Sequence, residues 1–174
     1  MVDFNKAWNS AKMILVACLV FNLLMFGIEI MLRIMGYGAG AIGGAKVGLL
    51  AVVMNAVAGW GLLVVSLIVN FALIVYGGFK GAKNGNDLVG CGLTGVIIYG
   101  ITDPIISILR IVAYVLLGFG VGAASGGAVA GALTGSFIAI YGLGILVCGI
   151  CWYFAGLVLN FVIALVGGLI GGAK

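Results

Sequence analysis

The stretch Val69–Gly81, VNFALIVYGGFKG, decides the fold, because a version of it returns at Leu159–Gly171 as LNFVIALVGGLIG. One shift aligns the Asn-Phe pair at 70–71 with the pair at 160–161, and the Gly-Gly pair at 77–78 with the pair at 167–168. A match at a fixed spacing is the sign of an internal repeat. We interpret it as a duplication of membrane helices in a single transmembrane domain over 1–174, with repeat halves of approximately 1–85 and 86–174.

The composition requires lipid as the solvent of this chain. It is 65% hydrophobic and 7% charged, with 32 glycines and a mean hydropathy of +1.41, whereas a soluble domain carries about a quarter charged residues. The net charge of +4 is small and scattered, which disfavours a nucleic-acid partner and suits positions beside anionic headgroups. We therefore expect a multi-pass integral protein of the cell membrane, with the lipid bilayer as its first partner.

The apolar segments predict an all-α protein of about six transmembrane helices, with four and seven as alternatives. The first span is predicted from Lys12 to about Arg33, long enough to cross a hydrocarbon core of about 30 Å. The next apolar run breaks best around Asn55 to Gly61, and a polar loop follows the third span. The remaining predicted helices are one over 88–122 with an interruption at Asp103-Pro104 and two over the final apolar run, which should break between positions 142 and 151.

Six spans place three in each half, and an odd number turns the second half upside-down relative to the first. That is the 3+3 inverted repeat found in many transporters. Six spans also put Lys80 and Lys83 on the opposite side from the amino terminus. Four spans would place these lysines with the termini and satisfy the positive-inside rule better, but they require one helix far longer than the bilayer is thick.

Glycines four residues apart form two further sets that predict close helix packing. On a helix this spacing makes a smooth groove into which a neighbouring backbone fits. A glycine loop is the alternative, since glycine is a poor helix former. The predicted glycine zippers are Gly36, Gly40, Gly44 and Gly48 in the first half, and Gly118, Gly122, Gly126, Gly127, Gly131 and Gly135 in the second.

A few polar residues inside apolar runs are the candidates for function. Glu29 and Arg33 lie four apart, where they can neutralise each other on one helix face. Asp103 and Arg110 lie seven apart on another face, as a pathway pair or as a helix cap and a snorkelling side chain. Asparagines within apolar runs, Asn22, Asn55, Asn70 and Asn160, are expected to form hydrogen bonds between helices.

The residues for most catalysis and cofactor binding are missing from the sequence. It has no histidine, which excludes imidazole bases, His-ligated haem and His-containing zinc sites. Cys148 and Cys151 form a C-x-x-C motif, the pattern of dithiol exchange, but their flanks are apolar and favour a packing role. We expect no cofactor and no metal site.

The segment YGGFKGAKNGNDLVGCGLTG, Tyr76 to Gly95, resembles the small, uncharacterised, glycine-rich multispan proteins common in archaea. In those proteins a helix ends in Gly-Gly-aromatic, crosses a short polar loop and re-enters the membrane on spaced glycines. The resemblance implies a glycine-packed hairpin and no activity or site residues.

Taken together, these features predict a non-enzymatic membrane subunit that packs against itself or against other subunits through its glycine faces. A small channel or transporter with inverted repeats is the alternative, with Asp103, Arg110, Glu29 and Arg33 beside its path. A membrane thiol-redox protein that uses Cys148 and Cys151 is a distant third possibility.

Overall fold

The structure is a computed structural model that describes the backbone of residues 3–42, 53, 56–124 and 128–173. Side-chain surroundings are described for 3–35, 53, 56–57, 60–113 and 149–173. The helices are α1 (Phe4–Ile42), α2 (Leu62–Lys83), α3 (Leu88–Ala124) and α4 (Ala128–Gly171), and a π-helical turn, Val57–Gly61, leads into α2. The all-α prediction is confirmed for these residues.

Within the described residues, four helical segments are long and apolar enough to cross a membrane. They are Phe4–Met35, Leu62–Lys83, Leu88–Ala113 and Gly149–Gly171. Many of their large apolar side chains are exposed, such as Trp152 at 75% of full exposure, and Trp60, in the turn before α2, is 76% exposed. Such surfaces suit contact with lipid, and tryptophan is enriched where a helix meets the membrane–water interface.

The prediction of six spans is not supported by this structure. The segment expected to hold the last two helices is one continuous helix, α4, of 44 residues, and Pro104 lies inside α3 instead of dividing it. Only the break expected around Asn55 to Gly61 coincides with an irregularity, the π-helical turn. Glycines do not interrupt α4, because an unpaired backbone in an apolar setting costs more than the low helix propensity of glycine.

The amino terminus, the loop between α2 and α3, and the end of α4 lie at the same end of the bundle. The amide groups of Asn84 and Asn86 donate to the Ser10 hydroxyl at 3.0 and 3.4 Å. Gly171 in the last turn of α4 lies against Phe79 in the last turns of α2. This is the arrangement that the four-span alternative requires.

The loop between α2 and α3 is built from residues suited to ending one helix and starting another. Gly85 has a φ of 78°, and the backbone amides of Gly85 and Asn86 bond the carbonyls of Ala82 and Gly81 at 3.0 Å. These two bonds form a Schellman motif, which requires a left-handed residue, usually glycine, after the helix. The Asp87 carboxylate then caps α3 by accepting a hydrogen bond of 2.8 Å from the Gly90 amide.

The two copies of the repeated segment lie in α2 and α4 and pack against each other. A Cβ added at Gly78 would overlap the Ala164 carbonyl oxygen, and one at Gly167 would overlap the Val75 carbonyl oxygen. Along α4, Ala164 lies against Gly78, and Gly171, two turns later, lies against Phe79 and Ala82, so the contacts advance in the same direction along both helices. The copies therefore run parallel, and the predicted 3+3 inverted repeat is not supported.

The bundle interior is filled by small and β-branched side chains. The buried face of α1 consists mainly of small residues, so this helix approaches its neighbours closely. The core cluster contains Ala7, Ala11, Ile14 and Cys18 of α1, Ile74 of α2, Ile97 and Ile98 of α3, and Ala164 of α4.

Candidate functional site

A buried carboxylate joins α1 to α3 near the end of the bundle opposite the α2–α3 loop. Glu29 is 6% exposed and accepts hydrogen bonds from Arg33 Nη2 at 3.1 Å and Arg33 Nε at 3.3 Å. Its second oxygen, Oε2, lies 3.5 Å from Arg110 Nε on α3. The Glu29–Arg33 pair is the one that their spacing predicts, and the pairing across helices with Arg110 was not predicted.

Asp103 is not a helix cap as expected, because α3 continues through it without interruption. Its carboxyl group interacts electrostatically with the Tyr99 side chain one turn earlier and with Arg110. Asp103 and Arg110 are therefore on a shared face, as the sequence predicts. The closest acidic group to Arg110 in the described residues, however, is Glu29.

Pro104 leaves one carbonyl group of α3 without its usual partner. Proline has no N–H, so the carbonyl oxygen of Gly100, four residues earlier, cannot receive its helical hydrogen bond. The Tyr153 hydroxyl of α4 donates to this oxygen at 3.0 Å. The Tyr153 ring also stacks on Tyr99, with centroids 6.0 Å apart. The proline thus creates a polar contact between α3 and α4 instead of a break.

Two asparagines form a reciprocal pair between α1 and α2. Asn22 Nδ2 donates to Asn70 Oδ1 at 2.9 Å, and Asn70 Nδ2 donates to Asn22 Oδ1 at 3.1 Å. This is the interhelical bonding that the sequence predicts for both residues. Asn160, the repeat counterpart of Asn70, is buried and donates to the Gly156 carbonyl of its own helix at 2.8 Å. The interhelical bond predicted for Asn160 is therefore replaced by a bond within α4. Asn55 lies outside the described residues.

Thr102 lies near the level of the asparagine pair. The packing around Gly77 of α2 includes Ile14 of α1 and Thr94 of α3. Two turns further along these three helices, about 10 to 12 Å by helix rise, lie three polar side chains: Asn22, Asn70 and Thr102. The Thr102 hydroxyl is buried and has no hydrogen-bond partner among the residues described. Three polar side chains of α1, α2 and α3 therefore lie at about the same level of the bundle.

The predicted glycine zippers fall where contacts are not described. Gly44, Gly48, Gly126 and Gly127 lie outside the described residues, and the others are helical in α1, α3 or α4 with side-chain surroundings not described: Gly36, Gly40, Gly118, Gly122, Gly131 and Gly135. Of the twelve described glycines where an added Cβ would have an atom within 4 Å, six belong to the repeated segment: Gly77, Gly78, Gly81, Gly167, Gly168 and Gly171. These glycines occur at the same spacing in both copies of the segment, and this sequence signal could have identified them as contact residues.

The cysteines are divided between the interior and the outer surface. Cys18 and Cys91 are buried thiols, and Cys151 is an exposed thiol. Cys148 lies in α4, with its side-chain surroundings not described. The expectation of a packing role fails for Cys151 within one chain, because its position on α4 faces outward. Among the described residues, no three His, Cys, Asp or Glu side chains come close enough to hold a metal ion.

Comparison with known proteins finds no family model, no curated protein and no solved structure that matches this chain. The resemblance of the Tyr76 to Gly95 segment to archaeal glycine-rich proteins therefore stays a prediction. The functional argument rests on the residues described above.

Proposed function

We propose that this chain is a non-enzymatic, multi-pass subunit of a membrane assembly, either a homo-oligomer or a larger complex in the cell membrane. The observation that carries the proposal is the Glu29 carboxylate, which contacts Arg33 on its own helix and Arg110 on α3. Charged groups inside a membrane usually face a partner, a cavity or a pathway. Here the charged groups of α1 and α3 contact each other. Such contacts hold the two helices together, as a structural subunit requires.

Assembly is proposed to use the two glycine zippers. In the repeated segment, spaced small residues already allow contacts between backbones, as at Gly78 with Ala164 and Gly167 with Val75. The repeated segment forms these contacts within one chain. The zippers over 36–48 and 118–135 have the same spacing, and we assign them to contacts with a second copy or a partner subunit.

Sedimentation in mild detergent tests this assignment. Gly44→Leu and Gly131→Leu should each reduce the assembled mass, because a leucine in a zipper groove prevents close approach. Leu50→Ala is the control for a change of side-chain volume. Gly27→Leu is the matched glycine control, because an added Cβ at Gly27 has no atom within 4 Å. Unchanged mass for both zipper variants would contradict the proposal.

A small channel or transporter is the second candidate, and one observation favours it. The unpartnered Thr102 hydroxyl lies near the level of the asparagine pair, and Asp103 is its neighbour on α3. Flux measurements in liposomes separate the two candidates. A structural subunit should give no flux above that of empty vesicles. Its Arg110→Met variant should be less stable and should show no change in flux. A reproducible flux that Asp103→Asn abolishes, with unfolding unchanged, would replace the structural subunit by the transporter.

A further inference from the structure

The end of the bundle that holds the α2–α3 loop is rich in lysine. The Asn84–Ser10 hydrogen bond of 3.0 Å joins the first turns of α1 to the end of α2. By helix rise, the lysines of both helix ends lie within about 6 Å of this contact along the axes. We name these four residues the lysine face: Lys6, Lys12, Lys80 and Lys83.

The acidic side chains at this end are occupied in capping helices. Asp3 accepts hydrogen bonds from the backbone amides of Asn5 and Lys6 at 3.1 and 3.3 Å, and Asp87 caps α3. A carboxylate at a helix amino terminus interacts favourably with the helix dipole. No ion pair between a lysine and an acid is found within the described part of the chain. The lysine face therefore presents a net positive charge to its surroundings.

The opposite end of the bundle differs in its electrostatics. Its cationic side chains within the described residues, Arg33 and Arg110, both contact the Glu29 carboxylate. Among the described residues, the arginines of this end therefore have an acidic partner within ion-pair distance, whereas the lysines of the lysine face have none.

We propose that the lysine face binds the phosphate groups of anionic phospholipids and orients the protein with this end toward the anionic leaflet. The ammonium groups are hydrogen-bond donors that suit phosphate oxygens. Lysines attached to membrane-spanning helices lie at headgroup level without an additional domain, because their long stems reach out from the apolar surface. Trp8, at 40% exposure, lies between Lys6 and Lys12 in sequence and marks this interface. The inference does not depend on the proposed role as a subunit.

Trp8 can report which lipid surrounds the lysine face. The variant Trp60→Phe/Trp152→Phe retains Trp8 alone among the three tryptophans. It is placed in phosphatidylcholine vesicles that contain a small fraction of phosphatidylglycerol brominated near the headgroup. We expect brominated phosphatidylglycerol to quench the fluorescence of Trp8 more strongly than the same fraction of brominated phosphatidylcholine does. Replacing a lysine of the lysine face by glutamine should reduce the preference of this end for phosphatidylglycerol over phosphatidylcholine by about fivefold per lysine at low salt. Added salt should weaken the same preference.

Two controls make the result decisive. The variant Trp8→Phe/Trp60→Phe leaves Trp152 as the reporter at the opposite end, where no preference for phosphatidylglycerol is expected. Quenching by brominated phosphatidylcholine should be equal with and without the Lys→Gln changes, which shows that the variants still insert. Equal quenching of Trp8 by both lipids, or the same preference at Trp152, would overturn the proposal.

Discussion

The hydrogen bond between Tyr153 and the Gly100 carbonyl offers a sharp test of how α3 and α4 pack. Tyr153→Phe removes the hydroxyl donor and keeps the ring that stacks on Tyr99. The Gly100 oxygen then has no donor, because Pro104 lacks the N–H that would bond it. In an apolar setting, water cannot readily replace the lost donor.

The expected loss of stability follows from the observed geometry. A bond of 3.0 Å is well formed, and hydrogen bonds between membrane helices average about 0.6 and reach about 1.7 kcal/mol. Because the acceptor is left without a partner, we expect a value near the upper limit, about 1.5 kcal/mol. In a Pro104→Ala background, the new amide at position 104 bonds Gly100, so the same tyrosine change should cost about 0.5 kcal/mol.

The double-mutant cycle is measured by reversible unfolding in mixed detergent micelles, followed by circular dichroism. The coupling between the tyrosine and proline changes should be about 1 kcal/mol. Equal costs of Tyr153→Phe in the two backgrounds would refute the argument that the tyrosine compensates for the proline.

Two further predictions follow from packing and exposure. Gly78→Leu should destabilise the fold strongly, since an added Cβ overlaps the Ala164 carbonyl. Gly27→Leu is the control and should change the stability little. Similar unfolding curves for the two variants would contradict the α2–α4 contact. An apolar, membrane-permeant maleimide should label the exposed Cys151 faster than the buried Cys91; mass spectrometry identifies the sites, and equal rates would contradict their assigned exposure.

The class of the protein and its local polar pairs could be predicted from the sequence. Composition alone requires membrane helices, and the Glu29–Arg33 pair follows from the helical repeat. The Asn-Phe and Gly-Gly match in the sequence drew attention to two segments that the structure brings into contact, and the internal duplication itself stays a prediction. These two segments form the contact between α2 and α4, whereas the sequence analysis predicts close packing for the other glycine sets.

The number of spans could not be predicted from the sequence. The helix propensities of individual residues do not decide where a helix in lipid ends. Glycines within α4 are usual sites for a break in water, yet unpaired backbone is costly in an apolar medium. The contact between Arg110 and Glu29 joins residues of different helices and has no signal in one sequence. The same holds for Tyr153, whose acceptor becomes evident only when Pro104 is seen inside a helix.

The side of the membrane on which the α2–α3 loop lies tests the four-span topology most directly. In a background without native cysteines, Asn5→Cys and Lys83→Cys, both at exposed positions, are made separately and treated with a membrane-impermeant maleimide in sealed, oriented vesicles. The four-span structure predicts that both cysteines react from the same side. Labelling of Asn5→Cys from one side and Lys83→Cys from the other would contradict it, and would favour the six-span arrangement.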